Sequence, residues 1–145
     1  MDSSSEYCRK NVRDGAYDLY LISLLTGRGP DLWAVFAFAC EIAKTRQVVS
    51  EPALGLIRLQ WWRDEIGKIY AGDAHAPGEV LDALAGVIKR YDLPHDVFEA
   101  LLAARAVELE QDVPRDFDAA IGFIQSLNVP LLTLAAMMCG EDVAS

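Results

Sequence analysis

Residues 33–72 read WAVFAFACEIAKTRQVVSEPALGLIRLQWWRDEIGKIYAG, and the period of their apolar residues decides the fold. Leu32, Val35, Phe36, Ala39, Ile42 and Ala43 recur every three or four positions, the spacing of one helix face. Past the Ser50-Glu51-Pro52 break, Gly55, Leu59, Trp62, Ile66 and Ile69 repeat the same period. Pro30 with Asp31 suits the first turn of the earlier helix, as Pro52 does for the later one. Gly72 is a natural C-terminal stop.

The same period extends outward in both directions, and no stretch alternates as a strand would. A first helix is expected from Glu6 to Leu25, ended by Thr26-Gly27-Arg28-Gly29-Pro30. Beyond the Asp73–Gly78 loop, helices are expected over Glu79–Tyr91 and, after Leu93-Pro94, over His95–Asp112. Val113-Pro114-Arg115 reads as a turn. A last helix runs from Asp116 toward Cys139, kinked at Pro130. The expectation is an all-α bundle of about six helices forming one domain, residues 1–145.

With 52% hydrophobic and 24% charged residues, the chain can bury a core. Its net charge of −9 argues against a nucleic-acid partner and against adsorption on anionic lipid. Cys8, Cys40 and Cys139 have neither disulfide nor metal-ligand spacing, which fits a reducing compartment. Cys40 and Cys139 sit in apolar runs and are expected to be buried. The apolar runs near Trp33–Cys40 and Val129–Cys139 are about half the ~20 residues of a membrane span, so no transmembrane segment is expected. The N-terminus lacks the apolar stretch of a signal peptide. The expected location is cytoplasmic and soluble, with peripheral membrane contact left open.

Phe36-Ala37-Phe38, Glu41-Ile42-Ala43, Ser50-Glu51-Pro52 and Leu54–Asp64 together resemble the squalene/phytoene synthase family. The resemblance covers the chain from Tyr7-Cys8 to Gly140, corresponding to about the N-terminal half of the family domain. It implies an isoprenoid-synthase-type bundle in which Asp-rich helices hold Mg2+ and the Mg2+ holds a prenyl diphosphate. The family's Asp-Asp-x-x-Asp set would fall on Ala43, Lys44 and Gln47, none of them acidic. Its early Ser-x-Ser-Phe motif would fall on Gly15–Asp18, where Gly-Ala-Tyr-Asp stands. Glu41-Ile42-Ala43, Val49-Ser50-Glu51 and Arg58-x-Gln60-x-Trp62 resemble the subgroup without these aspartates, which the resemblance links to assembly of respiratory complex I.

No catalytic residue and no metal ligand is therefore assigned, and no cofactor is expected; Mg2+ enters only if a transferase function holds. Lys44, Arg46, Arg58 and Arg63 concentrate on the second and third expected helices and could hold a diphosphate without metal, since guanidinium groups offer bidentate geometry; Lys44, Arg46 and Arg58, with Trp61, are the candidate ligand-binding residues. Their alternative is solvated helix surface, paired with Glu41, Glu51, Asp64 and Glu65. Trp61 shares a helix face with Arg58, Glu65 and Lys68 and could face a cavity or a partner, whereas Trp62 belongs to the core stripe. Glu108 and Asp112 have helical spacing for a metal, but the acidic chain offers a plainer reason for them. His75 and His95 have no catalytic companion at a meaningful spacing.

Two functions follow. One is a catalytically incomplete module that binds a prenyl ligand or a protein partner, in an assembly role. The other is a prenyl-diphosphate transferase active only with the missing C-terminal half or a partner chain. Half a bundle would leave apolar faces open, so a homo-oligomer or a partner chain is expected.

Overall fold

The computed structural model describes residues 3–48, 51–110 and 115–140, the side chains of Gln47 and Val48 excepted. Among them are eight helices and no strand: α1 (Ser3–Gly15), α2 (Tyr17–Thr26), α3 (Gly29–Ala43), α4 (Thr45–Val48), α5 (Pro52–Ala71), α6 (Glu79–Tyr91), α7 (His95–Glu110) and α8 (Phe117–Met138). The all-α class is as the periodicity indicates.

The stretch quoted first supplies the centre. Every residue from Leu32 to Phe38 is buried, and α1, α2, α6, α7 and α8 all pack on α3. A helix that is apolar all round belongs inside a bundle, and α3 is that helix. Around it, α1 lies on α6, α5 on α7, and α7 on α8. Phe38 ties α3 to its neighbours through edge contacts with Trp62 (5.4 Å) and Phe98 (5.7 Å).

The expected six helices become eight because two of them break. The segment expected as Glu6–Leu25 divides at Ala16, whose φ of −151° and ψ of 72° lie outside the helical range. Gly15, a poor helix former, precedes the break and lies against Cys40 of α3. The break lets α2 turn onto α3 while α1 continues to α6. The second division is at Lys44, a turn residue between α3 and the four-residue α4. The end of α6 is also sharp. Asp92 adopts the left-handed conformation (φ 51°), Leu93 N–H bonds back to Ile88 O, and the Leu93 side chain is buried.

Val49 and Ser50 of the sequence break, with Asp112, Val113 and Pro114, lie outside the described residues. Cys8 and Cys40 are buried; Cys139, expected to be buried, is only partly so. Helix α8 continues through Pro130, and Asp116 caps it by accepting from Ala119 N–H at 2.8 Å. Counted as a helix rather than as an uninterrupted apolar run, α8 is long and apolar enough to cross a membrane. Yet its last turns are fixed in the core by Leu131, Leu134 and Met138.

Candidate functional site

The two places where the resemblance puts diphosphate chemistry do meet. Gly15 lies against Cys40, one turn before Ala43 and Lys44, so the α1–α2 break and the C-terminal end of α3 form one junction. Glu41 is its central carboxylate. Asn11 of α1 donates from Nδ2 to Glu41 Oε1 at 2.5 Å, and Lys44 Nζ stands 3.7 Å from the same oxygen. Lys44, on a position that the resemblance gives to an aspartate, thus faces a carboxylate instead of supplying one.

Helix α7 closes the junction. Arg105 bonds Glu108 at 2.8 Å, and Glu108 also faces Arg46 at 3.8 Å. Burial raises the Cys40 thiol above its ordinary value, with Lys44, Glu41, Asp18 and Arg105 making up its charged surroundings. The buried Thr45 hydroxyl and Asn11 Oδ1 have no hydrogen-bond partner among the described residues. Three cations share two carboxylates here: Lys44 faces Glu41 at the end of α3, while Arg46 of α4 and Arg105 of α7 both face Glu108. With the Asn11 amide tying α1 to Glu41, the junction is a polar clasp of α1 to α3 and of α4 to α7.

The four candidate ligand residues therefore separate into two pairs. Lys44 and Arg46 belong to the clasp. Arg58 and Trp61 lie on the outer face of α5, where Arg58 has no ionic partner among the described residues. Trp61 is 44% exposed and rests edge-on against the buried Trp62, centroids 5.1 Å apart. Leu54 and Ile57 continue the same exposed stripe.

Glu65, expected on that outer face, is instead buried and forms a staple. It takes Lys68 Nζ at 2.8 Å and Ala76 N–H at 2.6 Å, fixing the loop after α5. Those two bonds hold its carboxyl below the ordinary value of 4.5 against the effect of burial. Arg63, expected among acidic neighbours on its own helix, reaches α7 and bonds Glu99 at 2.8 Å.

Glu108 faces arginines, and no group of three or more potential metal ligands occurs among the described residues. His95 stacks on Tyr70 at 4.3 Å, and His75 bonds the Ala76 carbonyl. Sequence reasoning missed Asn11 and Arg105. The Arg105–Glu108 spacing of three was a usable signal; Asn11, thirty residues from Glu41, gave none. Leu54 and Ile57 were legible as apolar residues lying off the Gly55-Leu59-Trp62-Ile66 stripe.

Residues 12–144 match the family described as squalene/phytoene synthase. Among curated relatives, the Homo sapiens protein named NADH dehydrogenase (ubiquinone) complex I, assembly factor 6 is 27% identical over 140 residues, which are 94% of this chain and 41% of that protein. The Bos taurus protein of the same name is 26% identical over 140 residues, with the same coverage. The Rattus norvegicus one is 28% identical over 141 residues, covering 94% of this chain and 42% of its own length. The chain thus spans about two fifths of the length of the curated relatives it matches. No solved structure matches it.

Proposed function

The chain belongs to the squalene/phytoene synthase family, and from that premise we propose that it acts as a non-catalytic binding and assembly module rather than as a prenyl transferase. The observation that carries the reading is the clasp. Ala43 and Lys44 stand where the resemblance puts metal-binding aspartates, and Lys44 is 3.7 Å from Glu41. A site that holds Mg2+ needs clustered hard oxygen ligands. An ammonium in the same place repels the ion. Support also comes from the relatives, which carry the name of a complex I assembly factor. In this reading the chain takes part in assembling a larger complex, works without Mg2+, and uses its surface rather than a reaction centre.

A second function has one observation in its favour. The match covers only 41% of the human relative, so a transferase completed by further polypeptide is the competing reading. Calorimetric titration with a non-hydrolysable farnesyl diphosphate analogue, with and without Mg2+, separates the two. The assembly reading expects no Mg2+-dependent binding. Micromolar binding that requires Mg2+ would overturn it and restore the transferase. Binding of equal strength without metal would place a prenyl diphosphate among the module's ligands.

A further inference from the structure

We draw no further inference here: the strongest candidate, the exposed stripe of Leu54, Ile57, Arg58 and Trp61 on the outer face of α5, is flanked by the exposed carboxylates of Glu51 and Asp64 as well as carrying a guanidinium, and nothing in the structure shows what covers it.

Discussion

Adjacent residues on α5 have opposite fates, and the contrast fixes two predictions. Trp62 is buried against Phe38, while Trp61 is turned out onto its edge. Trp62→Ala should cost about 3–5 kcal/mol in denaturant unfolding, and Trp61→Ala about 0.5 kcal/mol or less. Comparable losses for the two would mean that the rotation of α5 is wrong. Glu65 gives a pH dependence. Its folded carboxyl titrates below the ordinary value of 4.5, chiefly through the Lys68 hydrogen bond and then the Ala76 N–H. A lowered folded value means that its contribution is complete above the ordinary value and fades as pH falls through the folded one. The native chain should therefore melt at a higher temperature than Glu65→Gln near neutral pH, and the gap should close below pH 4.5. A gap that stays constant through acid would show that the ionised carboxylate is not what staples the loop.

Helices read clearly from the sequence where an apolar stripe and a terminator agreed. α5 begins at Pro52 and is capped by Gly72, and α6 and α7 meet their expected starts at Glu79 and His95. The single helix expected over Glu6–Leu25 was misread because its period is unbroken across Gly15-Ala16; the break serves contacts with α3 and α6 that local sequence does not encode. The candidate site divides in the same way. Arg58 and Trp61 were legible as one face because they lie on one helix. The clasp was not, because Asn11, Glu41, Arg105 and Glu108 come from three helices distant in sequence. What holds the extra helix in place is a buried pair. Trp33 Nε1 donates to Ser23 Oγ at 2.9 Å, and Ser23 Oγ donates to the Tyr20 carbonyl at 2.6 Å. Ser23→Ala leaves a buried indole N–H unmatched and should cost about 1–3 kcal/mol. Hydrogen exchange should locate the loss in α2. A loss below about 0.5 kcal/mol, within the range of ordinary surface substitutions, would mean that Trp33 finds another acceptor.

At the scale of the molecule the bundle is unevenly covered. Its centre is closed around α3, but α8 buries only one side of its last turns and leaves Phe117, Ile121, Ile124 and Leu132 exposed along its length. Its polar side chains do little to wet this face. Ser126, Asn128 and Thr133 each bond a carbonyl of their own helix, three or four residues back. Asp118 is the only charged residue of α8, so two copies can meet along this face without the repulsion that a net charge of −9 creates elsewhere. The chain should self-associate as concentration rises, and it should bind a hydrophobic dye when dilute. Ile121→Asp combined with Ile124→Asp should suppress both effects and leave helical content unchanged, because neither side chain supports the core. Sedimentation velocity over a concentration series reads the result directly. A monomer at every concentration that also ignores the dye would mean that the α8 face is already covered within one chain, contrary to the exposure of Ile124 and Leu132.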